Sequence, residues 1–346
     1  MLLAIEALKP RLLEEGKRMF PQKDKRNLLV VALTLAALVI LIAAYFAPIW
    51  WVALTAPNYP KDAFPDGIRI HFHFNGVFNG CHAAPAGSRQ STEVMQSDLG
   101  ENSERYNPIL DAGKNLNQDA QGLDCVHEMN TINHYVGMFP IATGAPVEKP
   151  LAKFFFGFFA VMLAAFMLPK RKARIIALAA GFALVAAWML VDQYVLGALN
   201  AHVQHYMEES GAFFKEPERI KEWGDNVRFA SHIVIVGLIL SMIVVIAGVA
   251  KKRGFTLLLA LVPALLPVFF VITYSGWLWF FGHNLHPWGA FTVKPFMPTV
   301  FGEGKVAQFS TYSYPYWGFG LLLLSSIFLA LAFLIRRKQL REDSID

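Results

Sequence analysis

The sequence predicts an all-α polytopic membrane protein: six transmembrane helices, with a large, partly irregular exterior loop region between helices 1 and 2. Three observations carry this. Only 16% of the residues are charged, against about 25% in average soluble domains, and the mean hydropathy is +0.40. Six apolar runs approach or exceed the length, about 20 residues, that a helix needs to cross the hydrocarbon core. The basic residues cluster at the ends of those runs, in an alternation that assigns each end to a side. The eight Trp suit aromatic girdles at the headgroup level. The formal charge of +5 is spread over run ends with no aromatic-interleaved basic patch, so nucleic acid is excluded as a partner and the lipid bilayer is the partner required.

Residues 1–27 form a cytoplasmic segment. Within it Leu2, Leu3, Ile5, Leu8, Leu12 and Leu13 among Lys and Glu predict an amphipathic helix over 2–18, resting on the membrane surface and interrupted at Pro10. The first span is 28–48, too long and too far from the start for an ordinary signal peptide; Trp50 and Trp51, not a small-residue cleavage site, follow it. An exterior loop domain, 49–151, precedes spans 152–168 and 174–196. An exterior loop at 197–229 leads to spans 230–250 and 255–280, an exterior loop at 281–316 to the last span, 317–335, and a cytoplasmic tail, 336–346. Lys153 and Lys170 flank the short second span, and Pro263 with Pro267 predicts a bend in the fifth.

Orientation follows from Lys and Arg. The N-terminal segment, the link at 170–174, the link at 251–253 and the tail hold 18 of the 31 basic residues. They alternate as a six-span chain with both termini cytoplasmic requires, which places the protein in a bacterial inner membrane. The segment 49–151 carries six basic and eleven acidic residues, as the outer face allows. Inside it, 97–124 reads as irregular, 68–74 as a strand because Ile68, Ile70, Phe72 and Phe74 alternate with Arg69, His71 and His73, and 126–135 as helical. The stretch 310–316 reads as an aromatic belt.

All ten histidines fall in the exterior segments or at an adjoining helix end, His82, His283 and His286 among them. Two stretches concentrate ligand-type side chains. His71 and His73 share one face of the expected strand. His127, Met129, His134 and Met138 lie on or beside the expected helix, with His134 and Met138 one turn apart. Imidazole with thioether suits copper, with zinc less favoured by Met. A secondary metal or polar cluster is formed by His202 and His205, three residues apart, with His232 and with Asp192, an intramembrane acid by position. Cys81 and Cys125 are the only cysteines. A disulfide closing a loop of about 45 residues, contributing about 3 to 4 kcal/mol, is the ordinary reading; metal-ligating thiolates are the alternative. The haem c attachment signature is absent, and so are Walker, dinucleotide, nucleophile-elbow and HExxH motifs, so no haem c and no nucleotide are expected. No motif assigns a reaction: a chain that is not an enzyme on its own and an enzyme with its own metal centre both stay open.

Ala56-Pro57-Asn58-Tyr59-Pro60, Asn133-His134-Tyr135-Val136-Gly137-Met138 and Gly302-Glu303-Gly304-Lys305, with the span pattern, resemble a little-characterised bacterial membrane family encoded among genes for copper-protein maturation, such as those of nitrous oxide reduction. The resemblance implies Asn133, His134 and Met138 as family-defining residues and a role in copper handling or cuproenzyme assembly, with a periplasmic copper protein or membrane oxidoreductase subunits as partners. Two other functions fit the residues: an accessory subunit of a membrane oxidoreductase complex, and a small-solute permease using Asp192 and the broken fifth span.

Overall fold

A computed structural model describes residues 22–57, 59, 61, 64–81, 124–140, 144–287, 289, 293–306 and 308–342. The amphipathic helix expected over 2–18, His82 and the irregular stretch up to residue 123 lie outside them. The described residues form nine α-helices and one five-stranded antiparallel sheet. In chain order these are α1 Gln22–Phe46, β1 Trp50–Thr55, β2 Ile68–His73, β3 Gly76–Asn79, α2 Cys125–Tyr135, α3 Glu148–Met167, α4 Arg171–Leu190, α5 Ala198–Phe213, α6 Pro217–Lys251, α7 Leu258–Ala264, α8 Leu266–His283, β4 Gly302–Val306, β5 Phe309–Pro315 and α9 Trp317–Glu342.

Five helices are long and apolar enough to cross a membrane, and a sixth span forms if the bent pair 253–264 and 266–283 counts as one. Their outward faces are as apolar as their core: Leu35, Val39, Leu184, Val236, Leu240, Ile327 and Leu331 are exposed, whereas Phe154, Leu163, Phe166, Phe182 and Leu329 are buried. A contiguous belt of this kind is stable only in lipid, where the backbone must be satisfied within each helix. The chain is thus a multi-pass membrane protein. The fifth span breaks at Leu265 with a 53° bend, because Pro267 has no N–H to continue the ladder. A π-helical turn, Val191–Val195, ends α4.

The two ends of the bundle differ. At one end, guanidinium groups hold the last carbonyls of helices, the groups left without helical partners. Arg171 donates to Val249 O at 3.0 Å, Arg174 to Leu168 O at 2.6 Å, and Arg336 to Phe166 O at 3.2 Å and Asn27 Oδ1 at 3.0 Å. At the other end sits the sheet, in the order β3-β2-β1-β5-β4. It grows from the bundle: α1 runs through Pro48 into β1, and β5 runs through Tyr316 into α9. Gly318 N donates to Pro48 O at 2.9 Å, and a Cβ at Gly318 would come within 2.5 Å of that oxygen, so glycine permits this junction.

One sheet face turns inward. Trp50 donates from Nε1 to Ser313 Oγ at 2.9 Å and packs against Tyr274 and Phe319. Leu54, Ile68 and Ile70 bury against Met129, Ile132 and the Cys81–Cys125 disulfide, which ties the end of β3 to the first residue of α2. On the opposite face Arg69 lies over Trp51, 4.3 Å from the ring centroid.

Three expectations need correction. An all-α chain describes the spans, but the end cap is a β-sheet. The loop expected over 281–316 supplies two of its strands, so the presumed aromatic belt 310–316 belongs mainly to β5, where Tyr312 and Tyr314 alternate with the buried Thr311 and Ser313. The loop expected over 197–229 is helix over most of its length: α5 fills its first half, and α6 begins at Pro217, where a proline at the first helical position leaves no extra donor unsatisfied.

Candidate functional site

The six residues expected to hold metal are not gathered into one site. His71 lies against Tyr316, ring centroids 5.0 Å apart. His73 donates from Nδ1 to Phe46 O at 2.8 Å, and burial lowers its pKa. Met129 is packed beside the disulfide. His127 and His134 flank the ring of Phe213. Met138 is buried among Phe139, Phe214, Ile220 and Phe281. Among the described residues no group of three or more His, Cys, Asp or Glu stands close enough to hold a metal ion.

The reason His134 and Met138 do not act as one helical turn lies in the helix stop. Asp124 caps the start of α2, its Oδ1 accepting from Val126 N and His127 N. At the far end Met138 N donates to Asn133 O and Gly137 N to His134 O, both at 2.8 Å, with Gly137 at φ +81°. That is a Schellman stop, which glycine makes possible and which turns Met138 away from the helix path. Gly137 O then accepts from His286 N at 2.6 Å. The first motif also serves as a joint: Tyr59 donates to Glu128 Oε2 of α2 at 3.1 Å. In the third, a Cβ at Gly304 would collide with Thr299 Oγ1. His134 itself meets Phe214 and His286, and burial first, then His286, lowers its pKa. Its Nδ1 is buried without a hydrogen-bond partner, while His286 Nε2 lies 3.0 Å from Glu216 Oε2.

The secondary cluster is also divided. Asp192, in the π-helical turn, is paired with Lys153 at 2.7 Å and accepts from Gln193; it does not meet His202. His202 donates to Pro146 O at 2.7 Å, and burial lowers its pKa. His205 pairs with Glu209 one turn on, and His232 Nδ1 is hydrogen-bonded to Tyr194 Oη.

Open space lies elsewhere. Beneath the sheet, between α3, α6 and the bent span α7–α8, is a chamber of about 710 Å³. Along α3 it runs from Glu148 to Phe159, roughly 16 Å at 1.5 Å per residue. That is about half the hydrocarbon thickness, one leaflet deep. Its walls are aromatic: Phe155, Phe156, Phe158 and Phe159 of α3 face Phe269, Phe270 and Phe281 of α8. The lining residues Ile233, Gly237 and Ser241 of α6 and Phe269 and Thr273 of α8 are also exposed on the bundle surface. The chamber therefore opens sideways between these helices. Ser241 donates to Gly237 O and Thr273 to Phe269 O, so their hydroxyls are spent within their own helices and the mouth stays apolar.

Among the described lining residues, the charged ones stand at the sheet end. Glu148 and Lys149 open α3, and Glu148 Oε2 accepts from Trp277 Nε1 at 2.8 Å. The Lys149 stem passes Gly76 of β3 and Gly144 within van der Waals reach, and Glu209 of α5 attracts its ammonium. His73 and Tyr274 complete this end, the latter hydrogen-bonded to Ser313. Glu148 and Lys149 fall at the end of the exterior loop expected over 49–151. The available signal was a charged pair separated by four residues from the phenylalanine run at 154–159. No family model matches the chain, and neither does any curated protein or solved structure, so the site is read from its own geometry.

Proposed function

We propose that this protein takes an amphiphile with a long apolar part out of the bilayer, through the cleft between α6 and α8, and holds its polar end at Glu148 and Lys149. The observation that carries this reading is the chamber itself: one leaflet deep, aromatic, open to lipid and polar at one end only. Such a volume lies within the range of small-ligand sites, which are mainly apolar with a few placed polar groups. A hydrophilic solute finds no matching walls, and Asp192 does not line the chamber, so the permease reading becomes one of an apolar cargo. Positive-inside asymmetry makes the arginine-capped end cytoplasmic and the sheet end external, which puts the polar end of the chamber at the outer leaflet.

Mass spectrometry of organic extracts from protein purified in mild detergent tests the reading. The natural chain is expected to carry about one amphiphile per molecule, and Gly237→Trp, which fills the mouth, to carry little. Equal, trace amounts in both would refute it. Gly237 is suited to this change because a Cβ there meets nothing within 4 Å. Copper handling, implied by the motif resemblance, is a second reading, supported by the partnerless His134 Nδ1 beside His286. Metal analysis of the same samples, prepared under copper-replete expression, decides it: copper near one per chain, lost in His134→Ala, supports the role, and its absence rejects it.

A further inference from the structure

Resting on the amphiphile reading, the polar end of the chamber also sets the class of head group. Among the described lining residues Glu148 and Lys149 are the only Asp, Glu, Lys or Arg, and neither leaves a charge for an occupant to answer. Lys149 is already drawn to Glu209 of α5. Glu148 meets the Trp277 N–H, and an acid walled by apolar side chains gives up its charge rather than bear the cost of burial. His73 donates from Nδ1 to Phe46 O, and burial lowers its pKa, so its ring is uncharged at neutral pH. A charge carried from water into such a chamber is costly unless it is matched. A phosphate, carboxylate or ammonium head therefore finds no counter-charge, and the head that fits is uncharged.

We infer that the occupant is a lipid alcohol, a long apolar tail ending in a hydroxyl that hydrogen-bonds to Glu148. Hydrogen-bonding capacity selects the hydroxyl from the other uncharged heads. Ser241 and Thr273 donate to backbone carbonyls of their own helices, and Trp277 donates to Glu148. Ser313 Oγ gives its proton to Val300 O at 2.8 Å, so the Tyr274 hydroxyl, 3.2 Å away, is the donor to Ser313. With these donors engaged, an ester or ether head, which accepts alone, is poorly met. A carboxyl keeps acceptor capacity in both protonation forms and donates as the acid, whereas a hydroxyl both donates and accepts. The hydroxyl thus pairs with Glu148 in either form. An uncharged head also passes the apolar mouth between α6 and α8 without leaving a charge unsolvated.

The test is competition for tritiated oleyl alcohol bound to the full-length protein in mild detergent, with rivals that share its tail. Unlabelled oleyl alcohol should compete roughly tenfold better than its methyl ether, which has lost one donated hydrogen bond. Oleate, oleylamine and oleyl phosphocholine should compete less well than the alcohol. Glu148→Leu should bring alcohol and ether to equal affinity, while Glu148→Gln, whose amide oxygen still accepts, should keep the alcohol ahead. Equal competition by alcohol and ether, a charged head that outcompetes the alcohol, or a preference unchanged in Glu148→Leu would overturn the assignment and leave the amphiphile reading intact. So would failure to bind the alcohol by protein whose organic extract carries another amphiphile. Failure to bind it by protein whose extract is empty would sink the amphiphile reading itself. The rivals are compared on the natural protein, so a variant that fails to fold does not blunt the test.

Discussion

The corner at α2 and the chamber beneath the sheet make an instructive pair. The corner is rich in imidazole, thioether and carboxylate, yet most of its distinctive groups have structural work: Asp124 starts the helix, Gly137 stops it, Tyr59 holds Glu128, and His286 receives the turn. The chamber is walled mainly by phenylalanines and other apolar side chains, with the exposed Gly237 at its mouth, and it encloses about 710 Å³. Residue chemistry shows what a region is able to bind. Unfilled space with a route into it shows where binding has been left room.

The comparison can be broken most forcefully at the disulfide. Cys81→Ala with Cys125→Ala should cost the sheet and α2 about 3 to 4 kcal/mol, since the bridge closes a 44-residue separation. Hydrogen exchange should show amide protection falling in α2 and β2, with lipid retention in the chamber unchanged. Loss of retained lipid in step with that protection would mean that the two regions form one cooperative unit.

The next effect is a matched pair of glycine substitutions. Gly137→Ala forces a Cβ at φ +81° to within 2.5 Å of His286 O and should destabilise the cap by about 2 kcal/mol. Gly237→Ala, facing open space in a helix, should be neutral or stabilise by up to about 1 kcal/mol. Thermal unfolding of the two variants side by side checks this, and equal shifts would contradict the contrast.

The smallest effect concerns pH. Burial lowers the pKa values of His73, His134 and His202 below the ordinary 6.5. In acid the unfolded chain takes up protons that the folded cap resists. Stability should therefore be flat above neutrality, fall as pH drops through 6.5, and level off below the folded values. His134→Gln should make that slope shallower in a pH series of denaturant melts; an unchanged slope would show that His134 does not contribute to it.

Much of the frame was legible because lipid imposes length. The apolar runs, the proline pair at 263 and 267 and the cysteine pair each leave a direct mark on the sequence, and the alternation at 68–73 reveals β2. Its partner β1 was hidden because Trp50, Trp51, Val52, Ala53 and Leu54 are apolar on both faces, one turned to the bundle and the other to Arg69 and Tyr314. The Schellman stop was present in Gly137, but a lone glycine does not say which chain will receive it. The charged pair at 148–149 ahead of a phenylalanine run marked the chamber's wall but not its void, since a void belongs to the arrangement of helices and not to any residue lining it.

The direct passage from α1 into β1, and from β5 into α9, also dictates an order in time. β5 is made about 260 residues after its neighbour β1, so the centre of the sheet closes only after the helices between them have been synthesised. Until then β1 and β2 present an unpaired edge, the kind of surface that misassembles while a chain is incomplete. Loss of α9 would accordingly affect more than one span: it would release β5, the neighbour on which the cap is built, from the helix it runs into.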